Sequence, residues 1–169
     1  MKNIGVYVHI PFCKQKCYYC DFISYANKEN IIEKYVNTVI KEIKDVANSN
    51  KQDYENKKDD LLNINTIYIG GGTPSFIDSK YIVKILETLK EEFEISKDIE
   101  ITLEVNPGTV NEEKLKDYIS IGVTRLSIGL QSTNNNLLKE IGRIHTYEDF
   151  LNTYKLARKV GFKNINADL

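Results

Sequence analysis

Several things are scarce in this chain. Of its 169 residues, three are cysteine and three are proline. The formal net charge is -1, so there is no basic excess. That removes phosphate-backbone binding and attraction to an anionic membrane as expectations, since both need one. No apolar run approaches the roughly 18 residues of a membrane span. The N-terminus offers one lysine and then the strand-like VYVHI, too short and too interrupted for a secretory leader. Internal repeats and low-complexity tracts are missing too. What remains is an ordinary globular composition, 41% apolar and 28% charged, with length enough for one domain around a sizeable core. We expect a cytoplasmic protein. In that compartment clustered thiols serve as metal ligands or redox groups more readily than as disulfides.

Strand-like and helix-like segments alternate throughout. GVYVHI (5–10), NTIYIG (65–70), IEITLEV (99–105), TRLSIGL (124–130) and KNINADL (163–169) read as strands. Helical spacing of apolar residues covers 28–47 and 79–93, and shorter helices fit 111–120 and 147–160. Gly122 and Gly161 stand where helix C-terminal glycines belong, and Thr146 with Asp149 forms an N-terminal capping pair. The polar stretch 48–63 reads as a mobile loop or a frayed helix extension. Regular β–α alternation with crossovers of this length implies parallel strands and right-handed connections.

The strands also alternate with period 2. Ile4, Val6, Val8 and Ile10 oppose Asn3, Gly5, Tyr7 and His9. Leu103 and Val105 oppose Thr102 and Glu104, Leu126 and Ile128 oppose Ser127 and Gly129, and Ile165 and Ala167 oppose Asn166 and Asp168. A parallel sheet covered on both faces reads as nearly continuous Val, Ile and Leu, and these strands do not. One face meets the helices; the other faces something polar. A sheet curled into a partial barrel with a wet interior meets that requirement, and a flat sheet with one solvated face is the alternative. Pro11, Pro74 and Pro107 each follow a strand and mark the C-terminal rim, where barrel sites sit. The cysteine loop, the GGGTP turn (70–74), Glu104, Gln131 and Asp168 all fall on that rim.

All three cysteines lie in CKQKCYYC, as Cys13, Cys17 and Cys20, with spacing C-x3-C-x2-C. Three readings stand. A Cys3His zinc site could recruit His9, although structural zinc usually pairs two knuckles and only one is present. Unligated thiols on a loop are the bland reading, and they would be open to oxidation. A cubane iron–sulfur cluster fits better: three thiolates take three iron corners, and the fourth iron stays open for a small chelating molecule.

YVHIPFCKQKCYYCDF resembles the radical S-adenosylmethionine (SAM) superfamily. TIYIGGGTPSF, ITLEVNPGTV, RLSIGLQS, GRIH and NINADL narrow the likeness to oxygen-independent coproporphyrinogen III oxidases and their sister group, the heme chaperones. The resemblance covers the whole chain. It implies a partial (β/α)6 TIM-like barrel of the α/β class, a [4Fe-4S] cluster on Cys13, Cys17 and Cys20, and SAM on the open iron. It also implies Tyr7 near the sulfonium, Tyr19 beside the adenine, and the backbone of Gly71, Gly72 and Thr73 at the SAM amino group. Glu104 pairs with that ammonium and Arg143 with the SAM carboxylate. Gln131 supplies a further polar contact, and Asp168 meets the ribose hydroxyls.

Two departures refine the expectation. The oxidases carry a fourth cysteine two residues after the third, and here that position is Phe22. This favours the heme chaperones, with heme as cargo for heme-accepting proteins, over porphyrinogen oxidation in porphyrin biosynthesis; a non-catalytic cluster-binding fragment is the third alternative. Further, the chain stops within its fifth strand. Residues 1–169 are therefore expected to be an incomplete radical SAM core, lacking the sixth strand and the C-terminal domain. His9 is read as a structural hydrogen-bonder. His145 is left without a role, and the Lys-rich face of 33–44 is read as solvated.

Overall fold

The computed structural model describes all 169 residues. In chain order the elements are β1 (Lys2–Ile10), β2 (Phe12–Cys13), β3 (Tyr25–Ala26), α1 (Ile32–Glu55), β4 (Leu62–Gly71) and α2 (Ser79–Glu92). There follow β5 (Glu94–Val105), α3 (Glu112–Ser120), β6 (Arg125–Gly129), α4 (Asn135–Glu140), α5 (Tyr147–Val160) and β7 (Asn164–Asp168). Five strands form one sheet in the order β1-β4-β5-β6-β7, every neighbouring pair parallel. Each strand thus lies beside the next in sequence, with helices on the crossovers. This is the α/β arrangement expected from the alternation. The strands β2 and β3 make a separate two-stranded ribbon on the cysteine loop.

Register carries the period-2 pattern across the sheet. Val8, Ile69, Leu103, Leu126 and Ile165 align as one apolar row. With Ile82, Ile85 and Leu86 of α2, Leu115 and Tyr118 of α3, and Phe150 and Ala157 of α5, the buried members of that row belong to one core. The adjacent row is polar: Tyr7, Tyr68, Thr102, Arg125 and Asn164. That face is concave, because residues from β4 to β7 line one cavity at its upper end.

Most element ends follow local chemistry. Thr146 and Asp149 form the reciprocal capping box, the Thr146 hydroxyl accepting from the Asp149 N–H at 3.2 Å and the Asp149 carboxylate accepting from the Thr146 N–H at 2.8 Å. Gly161 closes the same helix with φ 123°. Three elements differ from the sequence expectation. The helix α1 continues to Glu55, because Lys, Gln and Glu sustain a helix even where its apolar stripe fades. Asn50 then turns the chain back, donating to the Asp60 carbonyl at 2.9 Å and accepting from the Leu62 N–H at 3.0 Å. The strand β5 starts at Glu94, with a register shift before Glu100 that lets the 96–99 stretch, polar at 96–98, bulge. The helix α4 was not anticipated; it is capped by Asn134, buries only Leu138, and is too short to give a periodic signal. No helix is long and apolar enough to cross a membrane.

Candidate cofactor site

The C-terminal ends of the strands surround a cavity of about 320 Å³. Small-molecule pockets run from about 300 Å³ upward, so this one sits at the small end of that range. Its wall contains Cys13, Cys17, Cys20, Tyr19, Gly71, Gly72, Thr73, Glu104, Gln131, Arg143 and Asp168. Every site residue expected from the sequence is therefore in one wall except Tyr7. Tyr7 lies below the cavity on the polar row; its ring stacks on Tyr68 at 6.0 Å, and its hydroxyl meets His9 Nδ1 at 3.1 Å.

The cysteine loop is held at several points. The Tyr25 N–H donates to the Pro11 carbonyl at 2.8 Å, closing the β2–β3 ribbon. The Tyr18 N–H donates to the Ile141 carbonyl at 3.1 Å, and the Gln15 amide donates to the Gly142 carbonyl at 3.1 Å. The loop thus leans on the turn after α4. Beneath it, the Gly72 N–H donates to the Ile10 carbonyl at 2.9 Å and the Thr73 N–H to the Phe12 carbonyl at 2.8 Å. A Cβ at Gly72 would lie 2.8 Å from the Phe12 carbonyl oxygen and 2.9 Å from Cys13 Sγ, so only glycine admits this approach.

Cys13 is buried, while Cys17 and Cys20 are partly exposed. Burial pushes the Cys17 thiol up, and the Arg143 guanidinium opposes that by favouring the thiolate. His9 is spoken for: Nδ1 meets Tyr7, and Nε2 meets the Ile23 carbonyl at 2.8 Å. No three His, Cys, Asp or Glu side chains are grouped to hold a single metal ion. The zinc alternative therefore lacks both its fourth ligand and a compact donor set. Three thiols spread over one loop match a multi-iron cluster, whose corners take one thiolate each.

Glu104 brings a carboxylate into the wall. Its carboxylate accepts from the Tyr68 hydroxyl at 2.8 Å and from the Gly71 N–H at 3.1 Å. Burial pushes its pKa up and outweighs these two bonds; the nearby Asp168 charge pushes the same way. A half-buried carboxylate with a raised pKa is poised for a cation. The N–H groups of Gly71, Gly72 and Thr73 are all committed inside the protein. What this turn has left for a bound cation is carbonyl oxygen.

On the adjacent strand β6, three side chains converge on Gly129. A Cβ there would lie 3.1 Å from Asn106 Oδ1, 3.2 Å from Arg143 Nη2 and 3.2 Å from Gln131 Nε2. Arg143 donates through Nη1 to Asn106 Oδ1 at 2.9 Å, and its guanidinium stands 5.7 Å from the Tyr19 ring centroid. Its Nε is buried and has no hydrogen-bond partner in the protein. A buried, unpartnered N–H costs about 1–3 kcal/mol, so this donor fits an anionic ligand group. Gln131 reaches the cavity from a left-handed backbone, φ 68°, and its N–H donates to the Asp168 carbonyl at 2.7 Å. The Asp168 carboxylate accepts from the Ser127 hydroxyl at 3.2 Å and from Asn166 Nδ2 at 2.5 Å. His145, buried, contacts the Leu130 carbonyl at 3.2 Å, which ties the Arg143 turn to the end of β6; burial pushes its pKa down.

Three participants escaped sequence reading: Tyr68, Asn106 and Ser127. Alternation puts Tyr68 and Ser127 on the polar face, but their pairings with Glu104 and Asp168 depend on neighbouring strands. Asn106 sits in ITLEVNPGTV, where only its position just after a strand pointed to the rim.

Comparison with known proteins agrees with this geometry. The family model for the radical SAM superfamily matches residues 7–169. The heme chaperone HemW of Haemophilus influenzae is 39% identical over 167 residues, which is 98% of this chain and 42% of the relative. HemW of Bacillus subtilis is 36% identical, over 98% of this chain and 41% of the relative. The solved coproporphyrinogen III oxidase HemN of Escherichia coli superposes with a TM-score of 0.83 at 28% identity, over 98% of this chain and 36% of that one. The chain thus spans about two fifths of the length of the curated relatives it matches, 42% for the first of them. With the family model matching from Tyr7 to Leu169, over a parallel β/α half-barrel whose rim gathers three clustered cysteines, the chain belongs to the radical SAM superfamily.

Proposed function

We propose that residues 1–169 form the cluster- and SAM-binding core of a cytoplasmic heme chaperone of the radical SAM type. The observation that carries this is the single cavity wall, which unites Cys13, Cys17 and Cys20 with Glu104, Arg143 and Asp168 from three other segments. When bound, a [4Fe-4S] cluster supplies one electron and an open coordination position. Glu104, oriented by Tyr68 and Gly71, takes the ammonium of SAM. Arg143, with its unpartnered Nε, takes the carboxylate. Asp168, braced by Ser127 and Asn166, accepts from ribose hydroxyls, and Tyr19 offers an aromatic face to the adenine. Gln131 completes the wall between Arg143 and Asp168. Heme is the proposed cargo, and heme-accepting proteins are the partners, in keeping with the relatives named heme chaperones.

Anaerobic reconstitution with iron and sulfide tests the core of the reading. About four irons and four sulfides per chain are expected, with a shift of the reduced-cluster EPR signal on adding SAM. Uptake of zinc without a cluster, or unchanged cluster content in Cys17→Ala, would overturn it. Heme titration followed in the Soret region, beside an assay for porphyrinogen conversion, separates the chaperone from the oxidase reading. The likeness to the solved oxidase keeps the latter in view. Phe22 in the cavity wall, in place of a fourth cysteine, favours the former.

A further inference from the structure

Asn106 joins the two halves of the site. Its backbone is pinned on both sides: the N–H donates to Ser75 Oγ at 3.1 Å, and the carbonyl accepts from the Thr109 hydroxyl at 2.6 Å. Its side chain bridges Arg143 and Thr73. A guanidinium can only donate, so Oδ1 faces Arg143 Nη1 at 2.9 Å and Nδ2 faces Thr73 Oγ1, to which it donates at 2.8 Å. The Thr73 hydroxyl has one proton. With Asn106 donating into its oxygen, that proton is left for Cys13 Sγ, 3.5 Å away. Thr73 is 3% exposed and Cys13 8%, so water does not compete for the contact.

We propose that Asn106 is a positioning residue that fixes the polarity of the chain Arg143 to Asn106 to Thr73 to Cys13, so that the Thr73 hydroxyl always donates to the Cys13 sulfur and raises the reduction potential of the bound cluster. The inference rests on the cluster assignment above. Hydrogen bonds to ligating sulfurs stabilise the extra negative charge of the reduced cluster and so favour its reduction. Cys13 is the one buried cysteine of the three, so the effect is greatest at this corner. The direction of the chain depends on an amide at position 106. A carboxylate there would still accept from Arg143, but it would also accept the Thr73 proton and take it from the sulfur.

The test is a redox titration of the anaerobically reconstituted chain, followed by the EPR signal of the reduced cluster, with iron and sulfide quantified in every variant. Thr73→Val is expected to shift the potential to more negative values at unchanged iron content, and Thr73→Ser to restore it. Asn106→Asp is also expected to shift it negatively, in part through its added charge. The deciding comparison removes that contribution: adding Thr73→Val to Asn106→Asp should produce no further shift. If Thr73→Val does not load a cluster, Thr73→Ala carries the same comparison. An unchanged potential in the loaded Thr73→Val or Thr73→Ala variant overturns the proposal. So does an equal Thr73→Val shift in the wild-type and Asn106→Asp backgrounds. Failure of the cluster assignment looks different: no cluster forms in the wild-type chain, or Cys13→Ala retains full iron.

Discussion

Replacing Glu104 by Gln separates what this residue does for binding from what it costs the fold. The carboxylate sits in the cavity wall, held by the Tyr68 hydroxyl at 2.8 Å and the Gly71 N–H at 3.1 Å. Gln keeps this geometry, since its oxygen accepts from Gly71 and its amide donates to Tyr68. What disappears is the charge. A charge-assisted bond to an ammonium contributes about 1.5–3 kcal/mol, so SAM affinity should fall roughly tenfold to 100-fold. Stability should move the other way. Burial raises the folded-state pKa of Glu104 above its unfolded value, so this group favours folding in acid and loses that contribution as pH rises through the folded value. Gln does not titrate. In the ligand-free chain its advantage over the wild type should therefore be absent at low pH and grow toward neutrality. Anaerobic calorimetric titration of SAM onto the reconstituted protein gives the first quantity. Thermal denaturation of the ligand-free chain between acid and neutral pH gives the second. Unchanged SAM affinity, together with a melting temperature that falls at neutral pH, would refute the assignment of Glu104 as a half-buried charge kept for a cation.

Other perturbations report on separate parts of the structure. Gly72→Ala should abolish cluster loading with little effect on far-UV circular dichroism, because its Cβ would lie 2.9 Å from Cys13 Sγ and 2.8 Å from the Phe12 carbonyl; iron analysis checks this. Thr146→Ala removes one side of the capping box and should cost about 1 kcal/mol, read as a drop of about 2–4 °C in melting temperature. Leu86→Ala, at a fully buried position of the core, should cost about 2–5 kcal/mol by urea unfolding. Tyr68→Phe should weaken SAM binding less than Glu104→Gln, and the pH midpoint of binding should rise, because the carboxylate loses a donor that favours its charged form.

The sequence reading was most reliable where a repeat was long enough to be seen. Period-2 alternation in β1, β5, β6 and β7 assigned the polar face, and register then turned those residues into continuous rows. The long amphipathic helices and the capping box at Thr146 were equally plain. The extent of α1 was not, since 48–55 continues on helix propensity without an apolar stripe. Nor was α4, which depends on a single cap and one buried leucine. In the site, residues set by strand ends were legible and residues set by contact between segments were not. Tyr68 becomes relevant only because β4 lies beside β5, and Asn106 only because the turn after α4 brings Arg143 over Gly129.

The unsatisfied polar atoms make the same distinction by another route. Two buried side-chain atoms have no partner: the Tyr118 hydroxyl and Arg143 Nε. The Tyr118 side chain belongs to the apolar core, where burial pushes its pKa up and keeps it neutral. It is a packed ring with an idle polar tip, and its cost is that of one neutral group. Arg143 carries a guanidinium rather than a neutral hydroxyl, so its missing partner is the more expensive omission. It lines a cavity, faces an aromatic ring, and is fixed through Nη1 to Asn106. Those neighbours hold the guanidinium in place without neutralising it. Elsewhere in the same wall Glu104 is likewise oriented by neutral donors and makes no ion pair. Placed so, the two charges are separated rather than paired. A ligand carrying both an ammonium and a carboxylate would supply each with its complement, as the amino-acid end of SAM does.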